Sequence, residues 1–445
     1  RAAGEIPEEL GPPATRAIDA ERARKLAQGE AAGVRPRLEA RGKDITGLQE
    51  LLTYGLKGAA AYASHARTLG REDETVYAFI HEALDLLTRD DTTVEDLLAA
   101  NLRCGEVGLR VLELLDAANT GAYGHPTPTP VLMGYVPGKA IIVSGHDLAD
   151  LEALLEQTKD TGINVYTHGE MLPAHGYPRL KRHPHLAGHY GGAWMRQRRE
   201  FDAFPGAILM TTNCIQSPEA SYRDRLFTSG LVAWPGIRHI QDRDFAPVIA
   251  AAQAAPGFTD SSPPRHHLSG FGHDAALSAA DTVIDAVKSG AIRRFVLIGG
   301  CDGAEVGRNY YTDLAEGLPE DTIVLTLGCG KFRVLGHDYG EVAGLPRLWD
   351  MGQCNDAFSA IRVAQALASA FEVDVNDLPL SLVISWYEQK AVLVLLTLLH
   401  LGIRNIRLGP KLPAFITPAI LEVLVDTFAI RPNGSLEDDL REFAA

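Results

Sequence analysis

Three cysteines between residues 295 and 354 follow the same local pattern. Each comes just after a short apolar run that ends in glycine or glycine-glutamine: Cys301 after FVLIGG, Cys329 after TIVLTLG, and Cys354 after PRLWDMGQ. Such runs are typical of buried strands, so each thiol is predicted at or just past the carboxyl end of a strand. Because open parallel sheets bind ligands at that edge, three thiols delivered to it favour a metal cluster.

A fourth cysteine and three other metal-capable side chains occupy equivalent places. Cys214, His146, Glu170 and Glu388 each follow a predicted strand in the same way. If two sheets face each other, all seven side chains converge on one interdomain site. Four thiolates alone can hold a 4Fe–4S cube, but an imidazole and two carboxylates add hard ligands that suit iron also bonded to oxygen. The set therefore predicts a mixed iron–sulfur–oxygen cluster.

The remaining cysteine and the chain ends are less informative. Cys104 lies in a predicted helix and is interpreted as a buried small residue, not as a ligand. The five cysteines make an odd number and no secretory signal pattern is seen, so metal binding or redox chemistry in the cytoplasm is predicted over a disulfide framework. The chain starts at Arg1 rather than Met, which leaves a processed chain and a fragment both open.

Charge and hydropathy exclude two classes of partner. The formal net charge is −15 and no long Lys/Arg block occurs, so neither nucleic acid nor an anionic membrane is the predicted partner. The apolar run 391–399 is far too short to span a bilayer. Other classes of partner, a small-molecule substrate among them, stay open at this point.

The periodicity predicts a multidomain α and α/β protein. Residues 1–125 are predicted to form a helical domain, with a leader, a helix near 19–28 and a three-helix unit. Alternating strands and helices then predict two Rossmann-like parallel-sheet domains, 126–272 and 273–445. Strands are predicted at 139–143, 164–167 and 207–212, and at Phe295, Thr322, Arg347, Leu382 and Ile403.

Other motifs carry less weight. The segment GCGK at 328–331 lacks the upstream glycine of a phosphate loop and has Phe332 where Ser or Thr would bind magnesium, so no nucleotide site is predicted there. Lys390, with Tyr387, brackets Glu388 and is predicted to supply protons. A dense histidine run is interpreted as surface groups or supporting groups behind the ligands, with the first two nearest the site: His168, His175, His183, His185 and His189.

Six of these segments together closely resemble the hybrid cluster protein family, also called prismane proteins or hydroxylamine reductases. The resemblance covers about residue 45 to the C-terminus. The motifs that carry it are 165–175 (VYTHGEMLPAH), 211–214 (TTNC), 299–303 (GGCDG), 327–331 (LGCGK), 352–356 (GQCND) and 385–390 (SWYEQK). They are long and specific to the family.

The resemblance implies a hybrid 4Fe–2O–2S cluster at the junction of the domains. It also implies a persulfide on Cys301 and a redox partner protein as electron donor. The activity implied is reduction of hydroxylamine to ammonia and water, and nitric oxide reduction is also attributed to the family. The ligands that carry over are His146, Glu170, Cys214, Cys301, Cys329, Cys354 and Glu388.

The sequence departs from the family at its start. Family members begin with a short cysteine cluster that binds a conventional 4Fe–4S or 2Fe–2S centre, whereas no cysteine precedes Cys104 here. The helical region also reads as one three-helix unit instead of two. Either the N-terminal segment is missing from this chain or the chain is a shortened variant, and in both cases the conventional cluster cannot be assigned.

Three functional hypotheses follow. The first is reductive cleavage of the N–O bond, with Glu170, Glu388 and Lys390 managing protons. The second is a non-catalytic protein that binds nitric oxide or a cluster and has lost its electron-entry cluster. The third is a nickel-containing relative similar to carbon monoxide dehydrogenase, although the Glu and His ligands favour iron and oxygen.

Overall fold

The computed structural model describes residues 17–212, 214–385, 388–409 and 411–444. The predicted leader around Pro12 and the predicted proton donor Tyr387 lie outside these ranges. The α-helices are α1 Arg22–Ala31, α2 Val34–Thr68, α3 Glu74–Leu86, α4 Val94–Tyr123, α5 Leu148–Thr158, α6 Pro178–Lys181, α7 Gln197–Ala203, α8 Ala246–Ala254, α9 His273–Ser278, α10 Ala280–Lys288, α11 Tyr310–Gly317, α12 Ala357–Phe371, α13 Gln389–His400, α14 Pro418–Phe428 and α15 Leu436–Ala444.

Strands alternate with these helices after residue 128, as the sequence predicts. They are β1 Thr129–Leu132, β2 Lys139–Ser144, β3 Ile163–His168, β4 Leu186–His189, β5 Ala207–Met210, β6 Leu226–Thr228, β7 Arg238–His239, β8 His266–Ser269, β9 Arg294–Gly300, β10 Thr322–Leu327, β11 Glu341–Val342, β12 Leu345–Pro346, β13 Leu348–Asp350, β14 Leu380–Ser385 and β15 Arg407–Gly409. Among the described residues, no helix is both long and apolar enough to cross a membrane.

The predicted three-helix unit is formed by α2, α3 and α4. Helix α3 begins after Asp73, whose carboxylate accepts a hydrogen bond from the backbone N–H of Thr75. Helix α4 begins with a reciprocal capping box between Thr93 and Asp96. The leucine stripes of these helices pack into one core, in which Cys104 is fully buried.

The first sheet is entirely parallel, with the strand order β4-β3-β2-β5-β6-β7. Numbered from β2, this order is 3-2-1-4-5-6, the doubly wound arrangement of dinucleotide-binding folds. The order reverses between β2 and β5, and such a switch point is where a ligand is expected outside the carboxyl ends of the strands.

The second sheet has the order β1-β8-β13-β10-β9-β14-β15. Its strands are parallel except for the antiparallel pair β1 and β8 at one edge. When β9, β10, β13, β14 and β15 are numbered 1 to 5, their order in the sheet is again 3-2-1-4-5. The switch point of this sheet therefore lies between β9 and β14. The predicted fold class, a helical region followed by parallel α/β sheets, is confirmed.

Helix α13 leaves the second sheet and packs against α2 and α4 of the helical region. Glycines make this close approach possible. A Cβ at Gly58 would lie 2.7 Å from the backbone oxygen of Gln389, and one at Gly105 would overlap the backbone of Leu396. The first turn of α13 therefore lies where the helical region meets the second sheet.

Two strand predictions are corrected by the structure. The strand predicted at Ile403 is found at Arg407–Gly409, because Gly402 and Asn405 both have positive φ and the chain turns there before it becomes extended. The strand predicted to reach Thr212 ends at Met210. Seven further strands were not predicted from the sequence: β1, β4, β6, β7, β8, β11 and β12.

Candidate metal centre

All seven predicted ligands lie just past the carboxyl end of a parallel strand. In the first sheet, His146 follows β2, Glu170 follows β3 and Cys214 follows β5. In the second sheet the strands β9, β10, β13 and β14 precede the other four ligands, Cys301, Cys329, Cys354 and Glu388. At each switch point two of these residues flank the crevice, His146 with Cys214 in one sheet and Cys301 with Glu388 in the other.

Three of the predicted ligands meet across the two sheets. One ligand atom each from His146, Glu170 and Cys354 lie within 4.8 Å of one another. His146 Nε2 is 4.0 Å from Glu170 Oε2, and the backbone N–H of Cys354 donates a 2.9 Å hydrogen bond to the same carboxylate oxygen. The other carboxylate oxygen of Glu170 is buried and has no hydrogen-bond partner among the described residues. An imidazole, a carboxylate and a thiol thus share one small volume.

The other three thiols lie past neighbouring strand ends, where Cys301 and Cys329 are buried and Cys214 is half-buried. Burial, and then the charges of neighbouring predicted ligands, raise the pKa of Cys214, Cys301 and Cys329 above the usual thiol range. Burial likewise raises the pKa of Cys354 to about 12 and that of Glu170 to about 7. Anionic ligands this close destabilise one another unless a cation lies between them, because their charges are not screened by water.

This donor set fits a metal cluster. Thiolates and carboxylates that are costly to ionise in a dry site become favourable when they bind iron. Soft sulfur together with hard nitrogen and oxygen suits a cluster that contains both sulfide and oxygen bridges. The open oxygen of Glu170 is the most direct sign, since buried carboxylate atoms are otherwise nearly always hydrogen-bonded.

Two buried lysines supply positive charge next to the anionic ligands. Lys331 Nζ is 2.9 Å from Asp350 Oδ1 and donates a 2.8 Å hydrogen bond to the backbone oxygen of Gly352. Burial alone would lower the pKa of both Lys331 and Lys390. At Lys331 the negative charge of Asp350 has a larger effect than burial, and the pKa is raised. At Lys390 the negative charges of Cys354 and Glu388 raise the pKa in the same way. Lys390 and His146 line the same small cavity, and the role of Lys390 as a proton donor stays a prediction.

Hydrogen bonds fix the ligands of the first sheet. His146 Nδ1 is 2.9 Å from the Thr212 hydroxyl, which leaves Nε2 directed at Glu170. The Gln353 side chain donates to the backbone oxygen of Glu170 at 2.8 Å and of His146 at 3.3 Å. No role was predicted for Thr212 or Gln353, although Thr212 lies in the motif 211–214 and Gln353 in the motif 352–356.

The histidine run lies mostly behind this edge of the first sheet. His168 bridges Ser144 at 2.8 Å and Glu200 at 3.0 Å. His175 and His189 share the hydroxyl of Thr167 at 3.0 and 2.9 Å. Of the two predicted alternatives, surface group or supporting group, burial excludes the surface position for His183 and His189, whereas His185 is partly exposed. His168 and His175, the two histidines of the run that were predicted to lie nearest the site, do not belong to the group formed by His146, Glu170 and Cys354.

An apolar cavity of about 200 Å³ lies on the second-sheet side of the site. It is lined mainly by aliphatic side chains of β9, β14, α12 and α13, and it reaches Cys301 and Cys354. Its lining also includes the polar residues Asn376, Arg404 and Asn405.

Comparison with known proteins agrees with this architecture and with the motifs. Residues 4–441 match the Prismane/CO dehydrogenase family model. The chain belongs to this family. The resemblance inferred from the sequence is thereby confirmed, and membership supports the predicted iron–sulfur cofactor.

Among curated relatives, the hydroxylamine reductase of Rhodospirillum rubrum is 66% identical over 434 residues, which cover 98% of this chain and 79% of the relative. The hydroxylamine reductase of Zymomonas mobilis subsp. mobilis is 58% identical over 443 residues, 99% of this chain and 81% of the relative. Both bear the name of the enzyme class that was predicted from the sequence.

Solved structures share the fold at low identity. Carbon monoxide dehydrogenase IV from Carboxydothermus hydrogenoformans matches with a TM-score of 0.71 at 17% identity, over 90% of this chain and 87% of the other. Carbon monoxide dehydrogenase from Thermococcus sp. AM4, in a nickel-free form, matches with a TM-score of 0.70 at 18% identity, over 90% and 85%. These similarities concern the fold alone.

Proposed function

We propose that this chain is an oxidoreductase that reduces hydroxylamine to ammonia and water at a hybrid 4Fe–2O–2S cluster. The observation that carries the proposal is the meeting of His146, Glu170 and Cys354 between two sheets, whose neighbouring strand ends carry Cys214, Cys301 and Cys329. The names of relatives at 58–66% identity support the reaction. The proposed ligands are His146, Glu170, Cys214, Cys301, Cys329, Cys354 and Glu388, with a persulfide on Cys301.

When bound, the cluster would supply electrons and a Lewis-acidic iron open to substrate. The residues around it manage protons. Cleavage of hydroxylamine to ammonia and water consumes two electrons and two protons. Lys390 is buried and carries an ammonium group beside Cys354 and Glu388, so it can donate a proton and be recharged through a neighbouring carboxylate. Electrons are proposed to come from a redox partner protein.

The test is metal and sulfide analysis of anaerobically purified protein, together with hydroxylamine turnover driven by a strong artificial reductant. We expect about four irons per chain, no nickel, and multiple turnovers. Glu388→Gln should retain iron while turnover falls by about 100-fold. Glu422→Gln, on the exposed face of α14, is the control and should match the wild type.

Other outcomes would favour the rival functions. Iron-loaded protein that binds nitric oxide tightly without turning over hydroxylamine would favour a non-catalytic binder. Stoichiometric nickel would favour chemistry like that of the carbon monoxide dehydrogenases. Absence of iron under strict anaerobiosis would contradict the proposed cluster.

Nitric oxide reduction is a second candidate, and the apolar cavity favours it. A weakly polar diatomic gas partitions into aliphatic surroundings, whereas hydroxylamine must give up its hydrogen bonds with water. Replacing Ala364, which lines the cavity, with Phe should slow nitric oxide consumption about tenfold while hydroxylamine turnover changes less than about twofold. Equal slowing of both substrates would contradict the assignment of the cavity to nitric oxide.

A further inference from the structure

One contact to the candidate metal centre comes from the helical region. Tyr62 lies on α2 and is 1% exposed, and its hydroxyl donates a 3.1 Å hydrogen bond to Sγ of Cys354. The two residues are separated by 292 positions in the sequence. Cys354 is therefore held at two of its atoms, at Sγ by Tyr62 and at the backbone N–H, which donates to Glu170.

Packing keeps the Tyr62 ring in this place. Gly58, one turn earlier on α2, allows α2 to contact the first turn of α13. The ammonium of Lys390, in that turn, lies 5.7 Å from the centroid of the Tyr62 ring. The phenol is thus enclosed between α13 and the thiol, and its hydroxyl hydrogen has a defined direction.

A second residue on the same face of α2, His65, also lies near the metal centre. His65, three residues after Tyr62, lies with Nδ1 3.9 Å from Asp147 Oδ2, next to His146 in the first sheet. Tyr62, His65, His146 and Lys390 all line one small cavity of about 10 Å³. This face of α2 is therefore part of the wall of the metal centre as well as of the helical core.

We propose that Tyr62 is a positioning residue of the metal centre, whose hydrogen bond to Cys354 Sγ orients this ligand and raises the reduction potential of the bound cluster. Reduction adds negative charge to the cluster and its sulfurs, and a donor aimed at a ligand sulfur stabilises the more negative state. The inference rests on the proposed cluster and adds a residue from outside the two sheets.

The test is Tyr62→Phe in the iron-loaded protein, because this change keeps the ring and removes only the hydroxyl. We expect an unchanged fold by circular dichroism and unchanged iron content. The midpoint potential, from a redox titration followed by EPR, should fall by an amount equal to about a tenfold change in the reduction equilibrium, or about 59 mV for one electron. The EPR signal of the cluster should also change.

Tyr339→Phe is the matched control. Tyr339 is also buried, and its hydroxyl has no hydrogen-bond partner within the described residues. Its removal should leave the potential and the EPR signal unaltered.

Two results would overturn the inference, and they are distinguishable. If Tyr62→Phe retains iron with the potential and EPR signal of the wild type, the hydrogen bond has no influence on the cluster and the proposed function stands. If the wild-type protein itself contains no iron, the proposed function fails, and the role of Tyr62 falls with it.

Discussion

The two parallel sheets share their strand order around the switch point, yet they surround their ligands with different side chains. In the first sheet, His146 is held by the Thr212 hydroxyl and Glu170 by Gln353, in front of a network of buried histidines and threonines. In the second sheet, Cys301 and Cys354 border an apolar cavity. The same topology thus offers two environments to one site.

The difference follows from the chemistry of the ligands. Imidazoles and carboxylates have directional hydrogen-bonding atoms, so a buried one needs partners that fix its orientation. A thiol is a weak donor and acceptor, and it tolerates aliphatic neighbours. Two of the three hard ligands, His146 and Glu170, therefore lie in the polar half. Three of the four thiols lie in the apolar half together with Glu388, and there the compensating charges come from Lys331 and Lys390.

The largest effect is expected from removing a thiol of the second sheet. Cys329→Ala should lose bound iron and lower turnover by more than about 100-fold, beyond the loss typical for outer partners of a metal site. Cys104→Ala is the control, because that cysteine is also buried but lies in the helical core. It should keep its iron and cost about 1 kcal/mol in stability. Iron retained in Cys329→Ala would remove Cys329 from the ligand set.

A smaller effect is expected from the charge pair of the second sheet. Lys331→Met leaves Asp350 buried and less compensated, so the free energy of unfolding should fall by about 3–5 kcal/mol. Adding Asp350→Asn should recover most of this loss. In the first sheet, Glu200→Gln keeps a hydrogen-bonding group near His168 and should cost only about 1 kcal/mol. Denaturant unfolding measures the free energy of unfolding of all three variants. Equal decreases for Lys331→Met and Glu200→Gln would show that the buried charge pair of the second sheet is no more important for stability than the polar contact of the first.

The smallest effect on iron binding and turnover is expected from removing a hydroxyl that supports a ligand of the first sheet. Thr212→Val keeps the shape of the side chain and removes the hydroxyl that orients His146, so iron affinity or turnover should fall by about 10–100-fold. Thr397→Val is the control, because within the described residues its hydroxyl bonds inside its own helix, to the backbone oxygen of Leu393. A Thr212→Val protein with wild-type iron affinity and turnover would show that His146 needs no such support.

The sequence alone determined the ends of the strands that matter most. The apolar runs 295–298 and 323–325 form buried strands, and glycines beside them allow the sharp turns that present Cys301 and Cys329. Gly300 and Gly328 both have positive φ, which a residue with a side chain adopts only at a cost. These are local effects, so a pattern of neighbouring residues was enough to place the candidate ligands.

Tertiary structure decided what lies against those ligands. Tyr62 reaches Cys354 from a helix 292 residues earlier, and Gln353 joins the two sheets through Glu170 and His146. The strand predicted at Ile403 was wrong because turns at Gly402 and Asn405 delay the extended backbone, although Ile403 still packs against the core. Apolar residues gain nearly as much by packing in a turn as in a strand, so composition cannot separate the two. Contacts between distant segments are set by how whole elements pack, and no short stretch of sequence records them.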